Sequence, residues 1–425
     1  MHKVLIISYF SPPCNLTASG RIGSWKDYLA ESDIYPIIVT RNWTGLELNE
    51  YQRLEKSDTS KFLKEEKSEV HYLEYKSNLR DRLFIKSEKL RFYKILSRFF
   101  TLINLIFRNF SLKFIPYNNF YYKAVEILTK DDTIETVLIS GNPFEQFYFG
   151  YLLKKKFPHI NWIADYRDDW TTSELTPTKS LLKRIILNLE KKSEKKWLSN
   201  ATTFTSVSPF YVDKISGLIN KKGHVVFNGY NEELIKLQSI KNKGKYTITY
   251  NGSLYSTQKI ETFLEAYKLF INKYAQSFEI KIYFPGLGYD KTQSHRVKKI
   301  LKGYEQYYSI TDRIPKQDVI NIQLKSDLLL MVAHDNIKGI PSSKIFEYIG
   351  LRKPILLCPS DHDVLKQIVS SLNHGFIAED KDACFNYLCN SIENTSPVLI
   401  SNEETEHFSS THQVKKMASI IHNLR

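Results

Sequence analysis

The residues with most chemical potential lie in three places: the run Ser342-Ser343-Lys344-Ile345-Phe346-Glu347, Lys259, and the run Asp165-Tyr166-Arg167-Asp168-Asp169-Trp170. Ahead of the first, an apolar run from Asp327 to Ala333 gives way to a loop with Gly339 and Pro341, and Ser342 or Ser343 then stands where a helix N-cap belongs. Lys344 falls in the first helical turn, where a cation opposes the helix dipole unless an anion offsets it. An anion there would be held by free N–H groups, the dipole and Lys344 together. Glu347, three residues on and on the same face, could accept from a sugar hydroxyl. A plain surface Lys–Glu pair is the other account, and this run alone does not choose between them. Lys259 repeats the anomaly at the head of a helix expected to reach Tyr274, and two lysines at two helix starts suit a diphosphate. Asp165 and Asp168 could act as base or hydrogen-bond acceptor toward a hydroxyl, with Arg167 between them able to pair with either.

These groups need scaffolding, and the apolar pattern supplies it. Val4 to Tyr9 is a continuous apolar run, as in a buried parallel strand. A small polar loop, Ser11 to Arg21, and a helix from about Ile22 to Glu31 lead to a second strand near Ile37 to Thr40, which together make a βαβ unit. Gly20 and Arg21 end that loop at the carboxyl end of the first strand, where open α/β sheets bind ligands. Arg21 there reads equally as a phosphate contact or a surface residue. Glu47 to Lys67 reads as a charged helix or loop, Val70 to Tyr75 as a strand. Strands are expected again at Thr136–Gly141, Asn161–Tyr166, Thr203–Val207 and Val225–Phe227, with a long basic helix from about Thr178 to Leu198. Lys236 to Lys245 is polar and reads as a linker. Strand and helix then alternate through Tyr246–Tyr250, Ile280–Phe284, Tyr308–Ile310, Leu328–Val332 and Ile355–Leu357. Such alternation predicts two Rossmann-like α/β domains facing a central cleft. The first spans 1–235 and the second 246–404, with a last helix at about 405–425 that packs back on the first.

At 425 residues the chain has room for two domains, and its net charge of +14 calls for something anionic as a partner. The four cysteines lack paired metal-ligand spacing and read as reduced thiols, no run reaches transmembrane length, and Val4–Phe10 is too short for a secretory leader. One stretch departs in texture. Leu83 to Tyr122 is dense in Phe, Tyr, Leu and Ile interleaved with Arg91, Lys94, Arg98, Arg108 and Lys113. It suits a membrane interface or a helical pair packed on the sheet, nucleic acid being the weakest reading and not an expected partner. Asp361-His362-Asp363 has the spacing of a metal-holding acid pair, but the acids are as easily caps of the helix that follows, and no metal site is expected.

In order and spacing the chain resembles the GT-B glycosyltransferases of the family-4-like branch common in bacterial surface-polysaccharide synthesis. The likeness rests on Val4 to Pro13, Trp162 to Trp170, Asn228-Gly229-Tyr230, Tyr250 to Tyr255, and above all Pro341 to Tyr348 with Lys353-Pro354-Ile355. The resemblance implies a nucleotide-sugar donor, a substrate rather than a cofactor, bound mainly by the C-terminal domain and an acceptor bound mainly by the N-terminal one. It implies Glu347 on the donor ribose, and Lys259 on the diphosphate with Gly252, Ser253, Ser342, Ser343 and Lys344 beside it. It also implies retaining, metal-independent transfer to a polysaccharide or oligosaccharide acceptor, and an acceptor on a lipid carrier at the cytoplasmic face of the inner membrane would suit the basic aromatic segment 83–122 and the net charge. The pattern departs at Gly339, where relatives often carry a first glutamate, and at Ser253, where many carry arginine. A sugar-nucleotide epimerase of the same fold, or a non-catalytic binder of anionic polymer or membrane, are the alternatives.

Overall fold

The computed structural model describes residues 1–14, 16–45, 51–174, 180–239, 244–394 and 401–424. The chain divides into two compact α/β units, Met1–Asn228 with Gln413–Arg425, and Gly229–His412. Both are built on largely parallel sheets, as the alternation of apolar runs and helices requires.

The strands of the first unit are β1 (His2–Ser8), β2 (Ile34–Arg41), β3 (Lys61–Lys64), β4 (Glu69–Leu73), β5 (Thr136–Gly141), β6 (Asn161–Tyr166), β7 (Thr203–Ser206) and β8 (Gly223–Val225). Their order across the sheet is β3-β4-β2-β1-β5-β6-β7-β8. Every pairing is parallel except β3 on β4. Val4, Leu5, Ile6 and Ile7 are fully buried, because β1 is covered on both faces. Burial of each such side chain contributes about 1.5–3 kcal/mol. The C-terminal helix Ser410–His422 supplies part of that cover: Val414, Met417, Ala418 and Ile421, at helical spacing, pack with Val4, Ile6, Ile22 and Trp25.

Two expectations fail here. The helix after β1 spans Thr17–Tyr28, so Gly20 and Arg21 lie inside it rather than in the preceding loop. The Ser19 hydroxyl donates to the carbonyls of Cys14 and Leu16 and closes the first turn early. The charged segment before β4 holds a strand, β3, which forms a hairpin with β4 closed by a Glu65 N–H to Ser68 carbonyl bond of 2.8 Å. Its lysines and full exposure mark it as a protected edge. The expected helix from Thr178 begins at Leu181, residues 175–179 lying outside the described ones, as do 46–50 of the charged segment and 240–243 of the linker.

In the second unit, β9 (Lys245–Thr249), β10 (Glu279–Phe284), β11 (Tyr308–Ile310), β12 (Leu328–Met331), β13 (Ile355–Leu357) and β14 (Gly375–Ile377) form a wholly parallel sheet in the order β11-β10-β9-β12-β13-β14. This is the doubly wound order, and the chain reverses direction across the sheet between β9 and β12. The loops that leave the carboxyl ends of those two strands flank the position where such sheets bind ligands.

Candidate functional site

The loop after β9 is Tyr250-Asn251-Gly252-Ser253-Leu254, and that after β12 leads to the helix Ser343–Gly350. They are stitched together at several points. The Asn251 N–H donates to Tyr348 Oη at 3.0 Å, and the Gly252 N–H donates to the Pro285 carbonyl at 2.8 Å. Gly252 (φ +80°) and Gly286 (φ +85°) both adopt the left-handed conformation. A β-carbon on Gly286 would sit 3.6 Å from Gly252 Cα, and one on Gly252 would sit 3.5 Å from Lys344 Cε. The Lys344 stem therefore lies against bare backbone, with no side chain between.

Lys344 Nζ donates to the Ser253 carbonyl at 2.8 Å and to Tyr250 Oη at 3.0 Å. Burial pushes its pKa down to about 7, with Glu347 pulling the other way. No side chain caps the helix it opens, so the dipole and first-turn N–H groups add to its field. The cation is felt nearby: His334, which shares a 2.7 Å hydrogen bond with Thr257 Oγ1, is held below its usual pKa by burial and then by Lys344. Lys259 stands at the N-cap of the helix Ile260–Tyr274, and its Nζ pairs with Asp335 at 2.7 Å across exposed surface. Such a pair is worth about 0–1 kcal/mol and exchanges readily for a more highly charged partner.

Glu347 is positioned from three elements. Its Oε1 accepts from Asn251 Nδ2 at 3.2 Å and from Gln323 Nε2 at 2.9 Å, while Lys316 Nζ lies 3.9 Å from Oε2. The carboxylate is thus aimed by two amides and keeps an oxygen with acceptor capacity. Gln323 and Lys316 carry no motif signal of their own, and only folding brings them, with Asn251 and Tyr250 of the loop after β9, to Lys344 and Glu347.

Asp361 and Asp363 are engaged by backbone. Asp361 accepts from the N–H groups of Asp363, Leu365 and Lys366, capping the helix Val364–Ser370. Asp363 accepts from the Gly339 N–H at 2.6 Å. Gly339 has φ +82°, a conformation that strains any residue with a β-carbon, so a glutamate would be strained in this turn. Among the described residues no group of three or more His, Cys, Asp or Glu could hold a metal.

The first unit corrects two of the sequence readings. Asp165 is fully buried and accepts four hydrogen bonds, from Arg21 Nε (3.1 Å), Arg21 Nη2 (2.7 Å), Ser140 Oγ (2.8 Å) and Thr205 Oγ1 (2.7 Å). Arg21 spends its remaining nitrogen on the carbonyls of Val226 and Phe227. The pair ties the first helix to β5, β6, β7 and the segment after β8. Asp165 is then no base toward a hydroxyl and Arg21 no phosphate contact, because neither side chain reaches solvent. Gly20 is exposed, with open space where a β-carbon would go.

Asp168 remains open to solvent, at 56% exposure, with Arg167 Nη2 at 3.2 Å and the Arg167 guanidinium over Phe10. Trp170 stacks on Phe144 with centroids 5.1 Å apart and on Trp197 at 5.5 Å. Beneath the loop, Glu194 accepts from Tyr166 Oη (2.8 Å) and Thr171 Oγ1 (2.5 Å), and burial pushes its carboxyl up to about 7. Asp169, half-buried, is raised to about 6 by the same cause, opposed by Ser173. Glu194 and Trp170 hold the loop from below, and Arg167 and Asp168 form its exposed edge.

No protein-family model and no curated protein matches the chain. Solved structures do match. A glycosyltransferase from Rickettsia africae superposes with a TM-score of 0.60 at 13% identity, over 99% of this chain and 97% of the other. Sucrose-phosphate synthase from Thermosynechococcus elongatus gives 0.63 at 11% identity, over 100% and 99%. HepE from Anabaena, solved with UDP and glucose, gives 0.53 at 10% identity, over 99% and 95%. At such identities the likeness is one of fold, and it runs the full length of the chain.

Proposed function

We propose that this chain, whose GT-B fold is that of glycosyltransferases, moves a sugar from a nucleotide-sugar donor to a polysaccharide or lipid-linked oligosaccharide acceptor. One observation carries the reading: at the switch point of the second sheet, Lys344 at an uncapped helix start and Glu347 with a spare oxygen stand one turn apart, on a floor of two glycines. A nucleoside diphosphate needs such a grip, with cations and N–H groups for the diphosphate and a carboxylate for the ribose hydroxyls. HepE holds UDP and glucose on the same fold.

In this reading Lys344 and Lys259 bind the diphosphate, with Gly252, Ser253, Ser342 and Ser343 beside it. As the bond from the sugar carbon to the phosphate oxygen breaks, charge grows on the leaving diphosphate, and the two ammonium groups stabilise it where it grows. Glu347 orients the ribose. Asp168, steadied by Arg167, orients the acceptor hydroxyl in the first unit. Transfer is retaining, as the family resemblance implies, and metal-independent, with the cationic side chains taking the place a metal would have at the diphosphate. The acceptor's carrier places the enzyme on the inner face of the cytoplasmic membrane, reached through residues 83–122, in cell-envelope polysaccharide synthesis.

The test is a calorimetric panel of nucleotide sugars against the wild type, Glu347→Gln and Lys259→Ala. Loss of a hydrogen bond to a charged group predicts donor binding about 10- to 100-fold weaker in each variant. Unchanged donor affinity and turnover in both would refute the assignment.

A further inference from the structure

The helix Leu181–Leu198 carries six Lys or Arg residues and only two acids, Glu190 and Glu194. Both acids are turned inward. Glu190 pairs with Arg108 at 2.5 Å, and Glu194 serves Tyr166 and Thr171. The outward face is left with apolar and cationic side chains and Asn188, and no acid. Leu181 is 74% exposed, Leu182 53%, Ile185 50% and Leu189 38%. Their spacing puts them on one stripe of the helix. Lys183, Lys192, Lys195 and Lys196 are exposed around it. Leaving such leucines in water forfeits burial that an ordinary surface helix would have secured.

The helix Phe92–Phe107 has the same construction. Phe92, Ile95, Phe99 and Ile106 are exposed along one face, with exposed Arg91, Lys94 and Arg98 beside them. No acid occurs from Lys89 to Val125. The two helices meet: the Arg108–Glu190 pair and a 3.0 Å bond from Asn109 Nδ2 to Ser193 Oγ join the end of one to the middle of the other. Two helices joined at that point, each with an apolar stripe bordered by cations, match an anionic bilayer surface, where the apolar side chains enter the acyl boundary and the lysines stay with the headgroups. Nucleic acid fits the Leu181–Leu198 stripe less well, because leucine and isoleucine offer a base nothing to stack on. No helix among the described residues is long and apolar enough to cross a membrane.

We infer that the helix Leu181–Leu198 is a second membrane-seating element, which docks with Phe92–Phe107 on an anionic phospholipid surface. This extends the membrane contact proposed above for residues 83–122, and does not depend on the donor site. The experiment is co-sedimentation of the full chain with phosphatidylglycerol–phosphatidylcholine vesicles, phosphatidylcholine vesicles, and a single-stranded RNA oligonucleotide. The variants are L181S/L182S/I185S, K192E/K196E and F92S/I95S/F99S, with thermal melts confirming that each is folded. The wild type should bind the anionic vesicles alone, and the first two variants should each bind them about tenfold or more weakly. Loss in those two with wild-type binding by F92S/I95S/F99S would leave Leu181–Leu198 as the membrane-seating helix and overturn the joint docking with Phe92–Phe107. The inference is overturned if L181S/L182S/I185S binds like the wild type, if neutral vesicles bind equally well, or if RNA binds and vesicles do not.

Discussion

Replacing Asp165 by alanine separates a structural role from a chemical one. The Arg21 side chain is 2% exposed and among the described residues its one ion-pair partner is Asp165, so the substitution leaves a guanidinium buried with two backbone carbonyls and without that anion. Breaking a buried pair from one side costs about 3–5 kcal/mol, and the Ser140 and Thr205 hydroxyls lose their acceptor as well. Against an ordinary stability of about 5–15 kcal/mol that is a large share. The urea midpoint of the transition that reports the first unit should fall by about 1–2 M. Arg21→Met with Asp165→Leu removes both charges together and should recover the part of the loss due to the unpaired guanidinium, while the Ser140 and Thr205 hydroxyls and the Val226 and Phe227 carbonyls stay without their partners. Intrinsic fluorescence is a suitable probe, because all five tryptophans lie in the first unit. Turnover of folded Asp165→Asn, read as nucleoside diphosphate released, should fall far less than the about 100-fold or more expected on loss of a general base. An unchanged midpoint in Asp165→Ala together with a 100-fold fall in turnover would show that Asp165 does chemistry and that its burial has been misread.

Two further outcomes follow from the second unit. Burial holds Lys344 near pH 7, so above that pH the free protein has lost the proton that a bound diphosphate would restore. Donor affinity should be flat below about pH 7 and fall about tenfold per pH unit above it. Calorimetry at pH 8 in two buffers of different ionisation heat should show uptake of nearly one proton, and zero uptake together with unchanged donor affinity in Lys344→Ala would remove Lys344 from the anion site. Asp361→Ala deletes a cap on the helix Val364–Ser370 and should cost about 1 kcal/mol by denaturant titration, while a chelator should leave wild-type turnover unchanged. Chelator-sensitive turnover that Asp361→Ala also abolishes would restore the metal reading of the acid pair.

Much of the fold was legible because a parallel strand buried on both faces must be apolar throughout. Val4–Ile7 and Leu328–Met331 announce themselves in that way, and the helices between them follow by period. The same rule hides β3, whose stabilisation is a hairpin ladder at an exposed edge and leaves no apolar signature. It also hides the true start of the first helix, since Gly20 and Ser19 look like loop residues until Ser19 is seen closing the turn. In the candidate site, Lys344 and Glu347 were legible because their oddity is local, a cation in a first turn with an acid one turn on. The partners of Glu347 were not, because Asn251 and Gln323 lie 96 and 24 residues away. The burial of Asp165 was hidden for the same reason: its counter-charge is 144 residues distant, and an aspartate at a strand end reads alike whether it faces solvent or an arginine. Gly339 stands in the sequence pattern as a missing carboxylate, whereas its left-handed backbone, pinned by Asp363, gives a steric reason for glycine there.

The helix Leu181–Leu198 shows how far a single element can be misjudged by composition alone. Read as a basic helix, it has no evident task. In the fold its charges are sorted: the lysines face out, and the two acids face in and are occupied. Glu190 holds Arg108 at the end of the aromatic helix, and Glu194 holds Tyr166 and Thr171 on either side of the Arg167–Trp170 loop. Trp197, from the same inner face, stacks on Trp170 and lies under the Arg108 guanidinium. The segment that carries Asp168 is thus fastened to the inner side of the helix whose outer side is apolar and cationic. A substitution on the outer face, such as L181S or K192E, breaks none of these bonds. One on the inner face, such as Glu194→Ala, removes the acceptor of Tyr166 and Thr171 without touching the exposed stripe. Surface binding and the placement of Asp168 are therefore separable by mutation although one helix serves both.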